Sequence, residues 1–321
     1  MYVRSIEEKI YKGHMVTKEE ALLLLTAPPK ELYEAANRIR IHFCGNRFDL
    51  CSIINGKSGR CPEDCKYCAQ SAHYQTALNE YPLLPADTIA AKAVSNANRG
   101  VLRYSIVASG RALSDPEIDA LCKSIQKIRK SCSIKVCVSV GLLKETQYQK
   151  LHAAGASRVH NNLESSERFF PTICTTHTTA DKIEAIKAAK AAGMEVCSGG
   201  IIGLGESMED RIDLALLLRS LNISSVPLNV LNPIPGTPLE STEPLCYSEI
   251  LTTVAVFRFL LPSASIRLAG GRGLMPDKGK ACFLSGANAA ISGDMLTTAG
   301  ITIETDQKLI EECGFILDLQ D

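Results

Sequence analysis

One pattern limits the architecture of this chain more than any other. Short β-rich runs recur along it, and helical stretches lie between them. The strand candidates are Phe48–Asn55, Arg103–Ala108, Ile134–Val140, Arg158–Leu163, Met194–Ser198, Ser225–Leu231, Ser265–Ala269 and Asn288–Ser292. Helical spacing of apolar residues falls at Asp115–Lys130, Ala180–Ala192, Met208–Leu221 and Ser248–Leu261. Strands alternating with helices predict a parallel sheet, and the count fits an α/β chain closed into a (β/α)8 TIM-type barrel. A doubly wound open sheet is the alternative. Ser114-Asp-Pro-Glu117 reads as a capping box with an early proline, and Gly193 as a helix stop. Thr17-Lys-Glu-Glu20 opens another capping box ahead of the first strand. Residues 1–45 are therefore expected to form an N-terminal helical extension, 46–300 the barrel, and 301–321 a C-terminal tail or helix.

Side chains alternate faces along a strand. In Lys135-Val-Cys-Val-Ser-Val140 the valines share one face, and Cys137 with Ser139 the other. The same parity groups Arg103 with Ser105, Arg158 with His160 and Asn162, Ser225 with Asn229, Ser265 with Arg267, and Cys51 with Ile53 and Asn55. Helices cover the outside of a barrel, so the apolar parity should face them and the polar parity the lumen. A lumen lined by Arg, Asn, Ser and Cys in place of branched apolar residues is expected to hold a ligand. The plainer alternative is that these polar residues sit at strand ends, in water.

Composition narrows the function classes. The 321 residues carry 35 Lys+Arg against 35 Asp+Glu, a formal charge of zero, so there is no basic field for nucleic acid or anionic lipid. No apolar run approaches a membrane span of about 18 residues, and the first 20 residues do not read as a signal peptide. A cytoplasmic setting with reduced thiols is expected. The 13 cysteines are too sparse for a disulfide scaffold, yet more than packing needs.

Three of them, Cys61, Cys65 and Cys68, form C-x3-C-x2-C in a proline-containing loop directly after the first strand. That is the mouth where barrel enzymes keep their sites. Three thiolates can wrap a four-iron cluster and leave one iron open for chemistry. The alternatives are structural zinc, which wants four ligands in two separated pairs, and chance clustering. No second C-x2-C or H-x3-H follows.

With Tyr67 before its last cysteine, this motif resembles that of the radical S-adenosylmethionine superfamily. Within it, the chain is similar to the biotin synthase family. Cys61-Pro-Glu-Asp-Cys-Lys-Tyr-Cys68, Val196-Cys-Ser-Gly-Gly-Ile-Ile-Gly-Leu-Gly-Glu206, Gly236-Thr-Pro-Leu239 and Ile266-Arg-Leu-Ala-Gly-Gly-Arg272 carry the resemblance, in order, from about residue 20 to 300. The resemblance implies a (β/α)8 barrel with two iron–sulfur clusters and a sulfurtransferase activity. Cys61, Cys65 and Cys68 would hold the four-iron cluster, whose open iron would chelate S-adenosyl-L-methionine. A 5′-deoxyadenosyl radical would abstract hydrogen from dethiobiotin at C9 and then C6, and sulfur from the second cluster would close the ring. Tyr67 would flank the adenine. Gly199, Ile201, Gly203 and Glu206 would support the adenosine, and Glu164 would take the ribose. Asn162 would touch both S-adenosylmethionine and dethiobiotin, and Asn229 the substrate. The plainer readings are loop glycines and satisfied core amides. Further expectations are a flavodoxin or ferredoxin as reductant, iron–sulfur assembly proteins as partners, and a homodimer.

The chain departs from the family at the second cluster, usually a two-iron one held by three cysteines and an arginine. Cys137, Cys197 and Arg267 match, but the remaining position is Ser105. Cys51 offers a replacement, on lumen parity in the first strand, and Cys44 lies seven residues earlier, at the strand's other end or in the preceding loop. In one reading Cys51, Cys137 and Cys197 bind an auxiliary four-iron cluster with Arg267 beside it, and Cys44 is the candidate fourth ligand. In the other, the two-iron cluster persists with Cys51 standing in. Cys122, Cys132, Cys174, Cys246, Cys282 and Cys313 have no partner at ligand spacing and read as packing. The rival functions are a hydrogenase-maturase-like or thiamine-pathway lyase-like barrel enzyme, and a non-catalytic iron–sulfur electron carrier.

Overall fold

A computed structural model describes residues 2–319 apart from 294, 297 and 299; the first residue of the expected extension and the last two of the expected tail lie outside the described residues. Three helices come first: α1 (Tyr2–Tyr11), α2 (Lys18–Leu24) and α3 (Pro29–Cys44). The capping box at the start of α2 is present, with Thr17 and Glu20 each satisfying the other's backbone. The barrel strands follow: β1 (Arg47–Lys57), β2 (Arg103–Ala108), β3 (Lys135–Ser139), β4 (Ala156–His160), β5 (Glu195–Cys197), β6 (Gly200–Ile202), β7 (Ser225–Val230), β8 (Ser265–Leu268) and β9 (Ala289–Ser292). Between them run α4 (Ala86–Asn98), α5 (Asp115–Ser131), α6 (Glu145–Ala154), α7 (Thr179–Ala191), α8 (Met208–Ser220), α9 (Tyr247–Leu260) and α10 (Lys280–Phe283). Then come α11 (Ile303–Glu312) and β10 (Ile316–Leu317).

All the ladders are parallel, and β9 pairs with β1 from Asp49↔Ala289 to Ser52↔Ser292, so the sheet closes and the open-sheet alternative falls away. The fifth stave is split. β5 pairs with β7 at Cys197↔Ser225 and β6 pairs with β7 from Gly200 to Ile202, so the expected single strand ending at Ser198 is two. The reason is steric. A Cβ on Gly199 would lie 1.9 Å from Pro227 O, and one on Gly200 2.4 Å from Glu164 O. Only glycine lets the chain step across there. The fourth expected strand also ends early, at His160, and residues 161–163 leave the sheet toward the mouth. In place of a tail or helix alone, the C-terminus adds β10 beside the start of β1.

Both faces of the staves are buried, as a parallel barrel requires. Val136, Val138, Ile106 and Val226 pack outward on the helices, in a layer where full burial of each such side chain is worth roughly 1.5–3 kcal/mol. Cys51, Ser105, Cys137, Arg158 and Arg267, on the opposite parity, are buried facing inward. Among the described residues no helix is long and apolar enough to cross a membrane.

Candidate active site

The inward parity lines one cavity of about 430 Å3 that runs from the middle of the barrel to its C-terminal mouth. Cys51, Cys137 and Cys197 lie in its depth, Cys61, Cys65 and Cys68 at its mouth, and Asn162, Glu164, Ile201 and Asn229 also line it. The two cysteine sets expected from the sequence therefore meet in one space. Among the described residues, neither set brings all its sulfurs within 4.8 Å of one another, as ligands of a single ion would be. Such spacing suits polynuclear clusters.

The deep end is a charge cluster that the sequence only hinted at. Asp49 sits buried below Cys51 on the same parity of β1. Its Oδ2 lies 2.9 Å from Arg103 Nε, 2.9 Å from Arg267 Nη2 and 3.7 Å from Arg158 Nη1. Burial opposes ionisation of Asp49, yet the three guanidiniums hold its carboxyl below the usual range. Glu195, half-exposed, takes the outer end of Arg158 at 2.5 Å. Arg267 also donates to Asp49 O at 2.9 Å and Ala290 O at 3.1 Å, which fixes it as a wall of the cavity.

The lumen thiols feel this field. Burial pushes Cys51 and Cys137 up, with Arg267 opposing it at the first and Arg158 and Arg103 at the second. Burial would raise Cys197 too, but a hydrogen bond from His160 and the charges of His160, Arg267 and Arg158 bring it down to about 6. Ser225 Oγ donates to Cys197 Sγ at 3.2 Å. Ser105 Oγ, where the family pattern has cysteine, and Asp49 Oδ1 have no hydrogen-bond partner among the described residues. Three soft donors, a cationic wall and two orphaned buried oxygens fit an anionic iron–sulfur cluster.

Cys44 does not belong to this set. It lies at the end of α3, with its Sγ 3.4 Å from Arg258 Nη1 and 3.8 and 3.9 Å from Pro262 O and Ala264 O, outside the cavity lining. The stretch before β1 is helical up to Cys44, which turns that thiol onto α9 and away from the lumen. The expectation of a fourth ligand there is corrected.

At the mouth, the loop carrying Cys61, Cys65 and Cys68 is closed by its own backbone: Cys61 N donates to Gln70 O at 2.9 Å, Ala72 N to Cys61 O at 2.8 Å and Cys68 N to Cys65 O at 2.9 Å. Tyr67 lines the cavity, and burial pushes its phenol well up. Asn162 accepts from Gly199 N at 3.0 Å and donates to Glu164 at 3.3 Å. Asn229 accepts from Gly270 N at 2.9 Å and donates to Gly200 O at 3.1 Å. Both amides clamp the glycine-rich backbone and border the cavity at once. Glu164 holds φ at +71°, rare for a residue with a side chain, kept by backbone bonds to Gly199 O and from Ile201 N. Gly199, Gly203 and Glu206 lie outside the cavity lining. Glu206 accepts from Gly203 N and Leu204 N at 2.9 and 2.7 Å and pairs with Arg211 at 2.6 Å, so it holds the loop rather than facing a ligand.

Two residues at the mouth escaped the sequence reading. Cys174, taken there as packing without a partner, lies 3.7 Å from Cys65 Sγ and 3.3 Å from His177 Nδ1. His177 is bonded in turn to Glu63, in the cysteine loop. The hydrogen bond from Cys65, with one from His177, brings Cys174 down to about 4, and the same Cys65–Cys174 bond pushes Cys65 up. The only local signal was the Cys-x2-His spacing of Cys174-Thr-Thr-His177.

Known proteins give the same picture. The family model for the Radical SAM superfamily matches residues 57–218, and that for the Biotin and Thiamin Synthesis associated domain matches 227–316. "Biotin synthase" of Brachyspira hyodysenteriae is 57% identical over 98% of this chain and 95% of its own. "Biotin synthase" of Clostridium botulinum strain Hall is 57% identical over 96% and 97%. The crystal structure of methylornithine synthase superposes with a TM-score of 0.84 at 20% identity, covering 98% of this chain and 97% of that one, a likeness of fold. A closed barrel with two cysteine sets in one cavity, matched along nearly its whole length by these relatives, belongs to the biotin synthase family of the radical S-adenosylmethionine superfamily.

Proposed function

We propose that this chain converts dethiobiotin to biotin, inserting sulfur at C6 and C9 with S-adenosyl-L-methionine as co-substrate. One observation carries the reading: the two cysteine sets open onto a single cavity, with Asn162 and Asn229 also on its wall. When bound, the mouth cluster supplies the electron that cleaves S-adenosylmethionine, and the lumen cluster supplies the sulfur. Cys61, Cys65 and Cys68 hold the first; Cys51, Cys137 and Cys197 hold the second, favoured as four-iron with Arg267 beside it. Tyr67 and Ile201 wall the adenosine, Glu164 offers its carboxylate to the ribose hydroxyls, and Asn162 and Asn229 position dethiobiotin. Gly199, Gly203 and Glu206 act by shaping the loop. Closing the chemistry inside the barrel keeps out water. Residues 1–45, 46–300 and 301–321 serve as helical extension, catalytic barrel and C-terminal element of a cytoplasmic homodimer. That dimer is reduced by flavodoxin or ferredoxin and loaded by iron–sulfur assembly proteins.

The test is an anaerobic reaction with dithionite or reduced flavodoxin, S-adenosylmethionine and dethiobiotin, read for biotin and 5′-deoxyadenosine. Deoxyadenosine without biotin refutes sulfur insertion, and neither product refutes the radical reading. Iron and acid-labile sulfide settle the auxiliary set: about eight irons per chain supports two four-iron clusters and about six refutes it.

A further inference from the structure

The clusters account for Cys61, Cys65 and Cys68, but leave Cys174 and His177 unexplained. Among the described residues, Cys65, Cys174 and His177 alone offer three ligand atoms within 4.8 Å of one another, and all three are buried. Zinc holds thiolate sulfur at about 2.3 Å and imidazole nitrogen at about 2.0–2.1 Å. Tetrahedral angles then put sulfur about 3.8 Å from sulfur and about 3.6 Å from nitrogen. Here Cys65 Sγ and Cys174 Sγ are 3.7 Å apart, and His177 Nε2 is 3.9 Å from Cys174 Sγ. A four-iron cluster places its cysteines on different irons, so two sulfurs this close belong around one ion. The second shell is built as well. Glu63 takes the Nδ1 side of His177, leaving Nε2 for a metal, and Glu63 is itself held by Thr176 at 2.6 Å and Arg111 at 3.3 Å. A carboxylate on the far nitrogen of a ligating histidine is the usual support of a zinc site.

We propose that the cluster-free chain binds one zinc ion through Cys65, Cys174 and His177, with water in the fourth position. Both sulfurs bind as thiolates, any thiol proton passing to solvent, and His177 binds neutral through Nε2 with its Nδ1–H donating to Glu63. Because Cys65 would serve both, the zinc site and the mouth cluster exclude each other. The site fastens the cysteine loop to residues 174–177, and zinc must leave before iron and sulfide enter. Only this exclusion rests on the functional reading above; the zinc site itself does not.

The experiment is anaerobic titration of the full-length, chelator-stripped chain with Zn2+ against a chromophoric competitor, and with Co2+ read by its d–d and thiolate charge-transfer absorption. One tight site with the intensity of two thiolates is expected. Cys174→Ala should weaken it roughly tenfold or more, and Glu63→Gln by about 10–100-fold. Cys61→Ala and Cys51→Ala should leave it. A site kept in Cys174→Ala but lost in Cys61→Ala overturns the proposal, because the metal then sits in C-x3-C-x2-C. So does zinc binding no tighter than in Cys174→Ala. If that variant misfolds by circular dichroism, His177→Gln replaces it, with the same expected loss and the same refuting result. Zinc preloading should slow iron uptake at the mouth in the native chain and not in the variant; equal rates in both refute the exclusion. Failure of biotin formation would leave the zinc and cobalt titrations standing.

Discussion

Asp49 joins three buried arginines across the barrel, and Asp49→Asn measures what that junction contributes. Its Oδ2 is shared by Arg103, Arg267 and Arg158 at 2.9, 2.9 and 3.7 Å, all buried. Exchanging the carboxylate for a neutral amide keeps the volume and removes the negative charge that the three arginines share. Removing one partner of a buried ion pair typically costs about 3–5 kcal/mol, because the other charge is left without compensation. At roughly 2.1 cal/mol/K per residue, 321 residues give an unfolding entropy of about 0.67 kcal/mol/K. The cluster-free variant should therefore melt about 4–7 °C lower in scanning calorimetry at neutral pH. The pH dependence has a fixed sign. The folded carboxyl lies below its unfolded value, so its stabilisation is present above that value and is lost as pH falls through the folded one. The native chain should thus lose its advantage over Asp49→Asn in acid. Adding Arg267→Met to the variant should recover part of the loss, since one orphaned cation is gone. A melting point within about 1 °C of the native chain, or further loss in the double variant, refutes the reasoning.

The other predictions concern the clusters and the split stave. Cys51→Ala should keep the mouth cluster and lose the lumen one, dropping from about eight irons per chain to about four, with deoxyadenosine still formed and biotin absent. Adding Ser105→Cys to Cys51→Ala restores the family's usual positions and should bring back about two irons in the lumen, read by iron analysis and electron paramagnetic resonance. Gly199→Ala sets a Cβ 1.9 Å from a backbone oxygen and should yield little soluble protein, whereas Gly273→Ala, with nothing within 4 Å, should change stability by no more than about 0.5 kcal/mol.

Much of this was legible because alternation is a strong signal. Where one face of a strand must meet helices, the parity of Val136 and Val138 fixes the direction of Cys137, and the lumen thiols followed without any knowledge of contacts. The same reasoning failed where direction depends on the end of an element. Nothing local in the stretch before β1 says that α3 persists to Cys44, so a thiol placed at the strand's other end or in the preceding loop proves to be helical and points at Arg258. It failed again at Cys174, which lies 109 residues from the Cys65 it meets, in a segment between β4 and α7 with no periodicity to orient it. Asp49 shows a third limit. Its parity with Cys51 was available, but three arginines from β2, β4 and β8 converge on one oxygen only because the sheet closes. Alternation assigns a side chain to a face, while the partners across a barrel are set by closure and register. The residues that tune a site from across the lumen are therefore the ones a single sequence hides best.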